Sequence, residues 1–353
     1  MPDIVRVPAG IRDLCDAVAP ADRRQARLAQ VRQLTAARPA GSLGRLDDAV
    51  LRVAAIRRTP RPAPLTAVVS VLAGDHGVAG HGTSRYRHGF TGRVLALIND
   101  GRAPVNRLAA RVPARVETAD LGLVEPVGDP RYRVAAGTAD LCAADAMTAA
   151  ETERALANGV RYADERLAGD GMVGVGEIGV GNTTATSALT ARLLGVPAAA
   201  TVGAGSGVDD ATVLRKRALI ETALTRTGGL PDDPLRLLAA LGGLEIAGNV
   251  GVILAAAARR QVVVIDGTIT AVAALVAVRL SRPVADHLIA GHCSAEPAHR
   301  LLLAELGLHP LLSLGMRLGM ASGAAMAMSL LAGALEVAAE TPDAVEAGLG
   351  TSR

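Results

Sequence analysis

Aromatic residues are almost missing from this chain. It has no tryptophan, and Tyr86, Phe90, Tyr132 and Tyr162 are its whole aromatic complement. A nucleic-acid surface wants a basic stripe interleaved with stacking aromatics. Neither is visible, since the net charge is only +3 over 353 residues and is not gathered into a block. The same scarcity predicts that a flat ligand would be held mostly by aliphatic walls. Lysine is scarcer still: Lys216 stands alone among many arginines, a bias that reads as genomic composition. Cysteine is limited to Cys15, Cys142 and Cys293, an odd and scattered set with no CxxC. That pattern fits a reduced, cytoplasmic protein. The N-terminus "MPDIVRVPAGIRDL" lacks the apolar core of a signal peptide. The most apolar tract, "MASGAAMAMSLLAGAL", is short and rich in small residues, so it reads as a buried helix and not a membrane span.

What is abundant is aliphatic. Half of the residues are hydrophobic, enough for a sizeable core of Ala, Val and Leu in one large domain with a smaller appendage, or in two domains. Residues 1 to about 60 read as helices with arginine-rich faces. Beyond them, "PLTAVVSVLAGDHG", "RVETADLGL", "GMVGVGEIG", "AAATVGAGSG", "QVVVIDG" and "ADHLIAGHCSAEP" read as buried strands. Helical stretches such as "RVLALINDG", "AMTAAETERALANGVRYADERLA" and "TAVAALVAVRL" separate them. Alternating helices and almost unbroken apolar strands predict an α/β fold with a doubly wound, mainly parallel sheet. The polar residues Asp75, His76, Glu177, Ser206, Asp266 and the run from His292 to Glu296 fall at the expected carboxyl ends of strands. In open α/β sheets ligands bind in the crevice outside those ends.

The stretch "GVGEIGVGNTTATSALTARLLG" (174–195) concentrates the polar chemistry. Gly174, Gly176 and Gly179 spell G-x-G-x-x-G, but no acid follows near position 200, which argues against a nicotinamide cofactor. Gly176 to Thr183 resembles a P-loop with Asn182 in place of its lysine, which argues against a triphosphate. What remains is a glycine turn opening a helix. Such a turn either cradles a single phosphate on free N–H groups or simply joins a strand to a helix. "HLIAGHCSAEPAHR" holds His287, His292, Cys293, Glu296 and His299, but their spacing matches no standard zinc pattern. It reads instead as a strand end and a helix start, with Ser294 as cap and Glu296 in the first turn. Lys216, in "VLRKRALIETAL", is either a compact charge reserved for a phosphate or a survivor on a solvated face.

Several longer motifs, in order, carry a family resemblance: "RPAGSLGRLDD", "GDHGVAGHGTS", "GEIGVGNTTATSAL", "GAGSGVDD" with Lys216 after it, "GGLEIAGNVGVILAAAARRQVVVIDG", "AGHCSAEPAHRLLLAELGLHPLL" and "GMRLGMASGAA". Over most of its length the chain resembles the nicotinate-nucleotide–dimethylbenzimidazole phosphoribosyltransferases. The resemblance implies a homodimer with no metal and no cofactor. It also implies a small helical domain formed from residues 1–60 with about 325–353, beside a large Rossmann-like domain, 61–324. The implied reaction moves the phosphoribosyl group of nicotinate mononucleotide to 5,6-dimethylbenzimidazole, giving α-ribazole phosphate for cobalamin assembly. The implied phosphate and ribose contacts are Gly176, Gly179, Val180, Gly181, Asn182, Thr183, Gly205, Ser206, Gly207, Lys216 and Asp266. Glu177 matches an active-site carboxylate. The implied base pocket is Ser84, Tyr86, His88, Gly291, Ser294, Leu318 and Met320.

The sequence also departs from that family. Where the family carries its general-base glutamate in an "RLGEGSGAA"-like segment, this chain has "RLGMASGAA", with Met320, which cannot take a proton. His88 stands in place of a glutamine and offers a substitute base, its unperturbed pKa lying near neutrality. Ala204 replaces a frequent arginine in the "GAGSG" loop. Two readings follow: a working transferase of the cytoplasm, with no membrane or nucleic-acid partner, or a non-catalytic or regulatory paralogue, or heteromer subunit, that binds the nucleotide or the base.

Overall fold

A computed structural model describes residues 8–87 and 89–349; His88 lies outside the described residues. Three helices come first, α1 (Ala9–Ala17), α2 (Arg23–Thr35) and α3 (Arg45–Arg57). Then follow β1 (Ala67–Gly74), α4 (Phe90–Asn99), α5 (Pro104–Ala109), β2 (Arg115–Gly122), α6 (Ala149–Arg166) and β3 (Met172–Ile178). The chain continues through α7 (Asn182–Leu194), α8 (Ala198–Thr201), α9 (Asp210–Thr227), α10 (Pro234–Leu241), α11 (Leu244–Ala258) and β4 (Val262–Ile265). It ends with α12 (Thr268–Leu280), β5 (Leu288–Ala290), α13 (Pro297–Glu305) and α14 (Ser322–Glu340).

The five strands form one sheet in the order β2-β1-β3-β4-β5, and every pair is parallel. Strand residues alternate between faces, and the core divides accordingly. Val68, Leu72, Val173, Val263, Ile265 and Leu288 belong to one buried cluster, which takes in α6, α7, α10, α11 and α12. Val69, Val71, Met172, Val262, Val264 and Ile289 belong to another, with α3, α5 and α14. Both faces are covered, which is why the strands read as continuous apolar runs. This is the doubly wound α/β fold that the sequence predicts.

One expected strand is absent. "AAATVGAGSG" forms the short helix α8 and then a turn. Pro197 sits at its N-cap and three alanines, the best helix formers, follow. The apolar tract near the C-terminus is α14. By length and composition it is long enough to cross a membrane, but half of its apolar window is buried. It packs on β3, β4, α3 and α5, as a core helix does.

The strand order places a topological switch between β1 and β3, since the chain leaves β1 for β2 on one side and returns to β3 on the other. A ligand crevice is expected outside the carboxyl ends there.

Candidate active site

Outside those ends lies a cleft of about 240 Å³. Glu177, the penultimate residue of β3, is buried in its wall. Its Oε2 accepts a hydrogen bond from Asn182 Nδ2 at the start of α7. Burial pushes its carboxyl well above the usual range, and the buried carboxylates of Glu245 and Asp266 push it further. Glu245 in turn pairs with His76, Nε2 to Oε1 2.7 Å, fully inside the protein.

The glycines around Glu177 divide into two kinds. Gly174 and Gly176 face α14: a β-carbon at Gly174 would lie 2.6 Å from Met328 Sδ, and one at Gly176 would run into the Ala321 backbone. Gly176 is therefore a packing residue and does not line the cleft, contrary to its expected phosphate role. Gly291 is corrected in the same way, since its missing β-carbon makes room for Ala324, 2.9 Å from Cα. Gly179 and Gly181 do form the turn. A β-carbon at Gly179 would meet the Gly74 carbonyl, and Gly181 sits at φ +95° as the N-cap of α7, with no side-chain cap on that helix. Gly179, Val180, Gly181, Asn182 and Thr183 all line the cleft. The Asn182 and Thr184 amides of the first turn already donate to the Gly179 and Gly181 carbonyls at 3.4 and 3.0 Å, so the Thr183 amide is the first-turn donor left for a ligand.

The 203–207 loop forms the neighbouring wall. Gly205 and Ser206 line the cleft, and Ser206 Oγ accepts from the Arg85 amide at 3.3 Å and lies 3.4 Å from Ser84 Oγ. Gly207, at φ +88°, lies behind the lining against Arg317. Lys216 is fully buried beneath this loop and is not part of the lining. Its Nζ donates to the Gly203 carbonyl at 2.7 Å and to Thr183 Oγ1 at 3.2 Å, joining the loop to the first turn of α7. Burial lowers the Lys216 pKa, and the Glu296 carboxylate opposes that shift. The solvated-face reading of this lysine is overturned.

Ser84, Tyr86, Leu318 and Met320 line the cleft as expected, and Phe90 and Arg317 join them. Tyr86 and Phe90 stack with centroids 3.8 Å apart and planes 6° from parallel. The expectation of aliphatic walls is thus corrected: two of the four aromatics are at the cleft. Gly319, Met320 and Ala321 are all left-handed, at φ +77°, +57° and +59°. Left-handed backbone costs a side-chain-bearing residue roughly 1–2 kcal/mol, and burying a methionine returns a similar ~1.5–3 kcal/mol. Met320 is 7% exposed, so its burial offsets its strain. Its amide also donates to the Glu177 carbonyl at 3.2 Å.

Asp266, just past β4, lines the cleft, but its Oδ1 accepts from the Gly323 and Ala324 amides at 2.7 and 3.0 Å. It caps α14 across the fold and so fixes the Met320 corner. Burial raises its pKa, against the pull of His292, whose Nε2 is 3.5 Å away. The histidines of the 287–299 segment go to separate tasks. His287 Nε2 lies 3.0 Å from the Ala19 carbonyl. His299 Nδ1 accepts from the Ser294 amide at 2.9 Å, and burial holds its pKa down at about 3. Ser294 lines the cleft, but the N-cap of α13 is Glu296, not Ser294. Among the described residues, one grouping has metal-ligand character, His81, Asp140 and Cys142. It is no part of the cleft lining, and its histidine and aspartate already pair at 2.7 Å.

Sequence reasoning missed Phe90 and Arg317 as lining residues, while Glu296 falls in the 292–296 run that it placed at a strand end. Phe90 carried a signal, as the one phenylalanine of an aromatic-poor chain. Arg317 carried none among so many arginines.

A doubly wound sheet with an uncapped helix start, a buried carboxylate and a flat-sided wall at its switch point has the parts of a nucleotide-dependent transferase. The chain belongs to the phosphoribosyltransferase family whose sequence model matches residues 18–349. It is 40% identical over 348 residues to the nicotinate-nucleotide–dimethylbenzimidazole phosphoribosyltransferase of Desulforudis audaxviator, covering 97% of this chain and 99% of that one. The enzyme of the same name from Pseudomonas aeruginosa is 43% identical over 327 residues, covering 91% and 92%. The crystal structure of such an enzyme from Thermus thermophilus superposes with a TM-score of 0.88 at 36% identity, covering 94% of this chain and all of that one.

Proposed function

We propose that this protein transfers the phosphoribosyl group of nicotinate mononucleotide to 5,6-dimethylbenzimidazole or a related flat nitrogen base, giving α-ribazole phosphate. The observation that carries this reading is the convergence of the α7 start, the 203–207 loop, Glu177 and the Tyr86–Phe90–Leu318–Met320 wall on one cleft. The phosphate sits against the first turn of α7 and the 203–207 loop, with Lys216 behind them and Arg317 in front. Arg317 Nη1 already donates to the Gly205 carbonyl at 3.4 Å, and it brings to this loop the guanidinium that Ala204 does not.

In the reaction a base nitrogen attacks C1′ and the bond from C1′ to the pyridine nitrogen breaks. The leaving nicotinate keeps the electron pair, so its cationic ring nitrogen becomes neutral and needs no acid. Positive charge on the sugar is stabilised by the Glu177 carboxylate. The new benzimidazole nucleotide then gives up its N–H proton. Met320 offers no acceptor, so we assign that proton to Glu177. A β-carbon at Gly319, next to Met320, would be 3.5 Å from Glu177 Oε1, and burial, which raises the Glu177 pKa, makes its ionised form a stronger proton acceptor.

The same reading includes a homodimer inside the cell, with residues 1–60 and about 325–353 forming a small helical unit beside 61–324. Sedimentation tests the dimer. Turnover of nicotinate mononucleotide with dimethylbenzimidazole tests the activity, and its absence with retained nucleotide binding would return the chain to a binding role.

A further inference from the structure

Glu296 is a polar group in the cleft that the reaction does not use. It occupies the N-cap of α13, yet its side chain makes no capping bond to that helix. It reaches across to the 203–207 loop instead, where Oε1 accepts from the Gly205 amide at 2.8 Å. Room for this is built in. A β-carbon at Gly203 would collide with Oε2 and lie 2.7 Å from Pro297 Cδ, so only glycine at 203 lets the carboxylate lie against the loop. Glu296 is 7% exposed and lines the cleft. The loop it grips is the one whose Gly203 carbonyl takes the Lys216 ammonium, and a β-carbon at Gly205 would lie 3.3 Å from that ammonium.

We propose that Glu296 is a resident anion that holds the phosphate position of the ligand-free enzyme and is displaced by the substrate's phosphate. The inference rests on the phosphate placement argued above. Without a ligand, the carboxylate keeps a buried amide hydrogen-bonded and faces the Lys216 charge, both of which are costly to leave unmet. A phosphate dianion brought to the same amide meets a like charge, so the carboxylate must leave for it to bind. An uncharged ligand lacking phosphate gains nothing from that exchange. Glu296 thereby sets the affinity for the phosphate group and leaves the flat base to the other wall.

The test measures calorimetric affinity of the wild type and of Glu296→Gln for nicotinate mononucleotide, for its riboside and for inorganic phosphate. Glutamine keeps an oxygen for the Gly205 amide and loses the charge, and an unchanged melting temperature shows that the loop is intact. The expected result is nucleotide and inorganic phosphate binding tightened about tenfold in Glu296→Gln, with the riboside unchanged. Nucleotide affinity that stays the same or weakens in Glu296→Gln overturns the displacement and leaves Glu296 as a loop fastener. If the wild type binds the riboside as well as the nucleotide, the phosphate placement itself fails, and the inference falls with it.

Discussion

The two walls of the cleft are built by opposite means. The glycine-rich wall, made by the α7 start and the 203–207 loop, is fixed by polar contacts, from behind by Lys216 on Thr183 and Gly203 and at its face by Asn182 on Glu177 and Glu296 on Gly205. The other wall is held by packing and backbone strain, and part of it is open. Tyr86 is 43% exposed and Leu318 48%, while Met320 is buried on a left-handed corner. Fixed donors suit a group that never varies, such as a phosphate. A wall of movable apolar side chains suits a flat base whose outline varies. If that contrast is functional, changes to the first wall alter the rate or phosphate affinity, and changes to the second alter the choice of acceptor.

Glu177 lies where the walls meet, and its loss is the largest effect. Glu177→Gln keeps the bond from Asn182 and removes the carboxylate, so turnover should fall about 10²–10⁴-fold with nucleotide binding retained. Wild-type kcat/KM should fall as pH is lowered through a pKa above the ordinary carboxylate range, because the folded pKa is raised. The linkage has a second readout. A carboxyl with a raised folded pKa binds more protons folded than unfolded between the two values, so its contribution to stability declines as pH rises through that window. Glu177→Gln should therefore raise the melting temperature most at pH values above the raised folded pKa, and least below the ordinary carboxylate range. A variant that keeps its activity, or loses it by unfolding, removes Glu177 from the chemistry.

Lys216 comes next. Lys216→Met keeps the bulk and removes the charge, and should weaken nucleotide binding by roughly 1.5–3 kcal/mol. The same change leaves the Gly203 carbonyl without its buried donor, so a lower melting temperature is expected too. The riboside separates the two effects. If riboside binding drops as much as nucleotide binding, the lysine is a fastener of the wall and no part of a phosphate site.

Gly181→Ala probes the turn. Its φ of +95° disfavours any side chain, and the new methyl would lie 3.1 Å from both the Ala79 and His76 β-carbons. A loss of about 1–2 kcal/mol in stability is expected from the backbone alone, read by thermal melting. Gly176→Ala should be worse for folding, since its methyl would enter the Ala321 backbone. The comparison sorts packing glycines from turning ones.

That distinction marks where the sequence stopped being legible. Strands were readable because burial on both faces makes them continuous apolar runs, and their order placed Glu177 and Asp266 close to where they lie, whereas Ser206 reaches the cleft from a loop after α8 and not from a strand end. Glycine is ambiguous in sequence: Gly176 and Gly181 sit in one motif, yet one admits α14 to β3 and the other turns the chain into α7. Asp266 read as a ligand contact because nothing local reveals a carboxylate capping a helix 57 residues away. Glu296 was legible as a helix-start residue, but its reach to Gly205 depends on a loop far off in sequence. The "AAAT" segment was misjudged because short apolar runs suit helix and strand alike.

The smallest expected effect lies on the apolar wall and discriminates best between the two walls. Met320 occupies the place where the resemblance puts a general base, and its amide is tied to the Glu177 carbonyl. If Glu177 alone takes the proton, a second carboxylate at 320 is a modest help, about tenfold or less in dimethylbenzimidazole turnover. It should do nothing for an acceptor already deprotonated, such as an acidic azole, which the wild type should therefore prefer. Met320→Glu would also place a charge near the buried carboxylates of Glu177 and Asp266, so part of the gain should appear only at higher pH, where the new group ionises. Rates for both acceptors, in the wild type and the variant across pH, decide the matter. A rise confined to dimethylbenzimidazole assigns proton removal to this corner. A wild type already fast with dimethylbenzimidazole and indifferent to Met320→Glu, but disabled by His88→Ala, moves the base to His88 and leaves Glu177 only the sugar cation to stabilise.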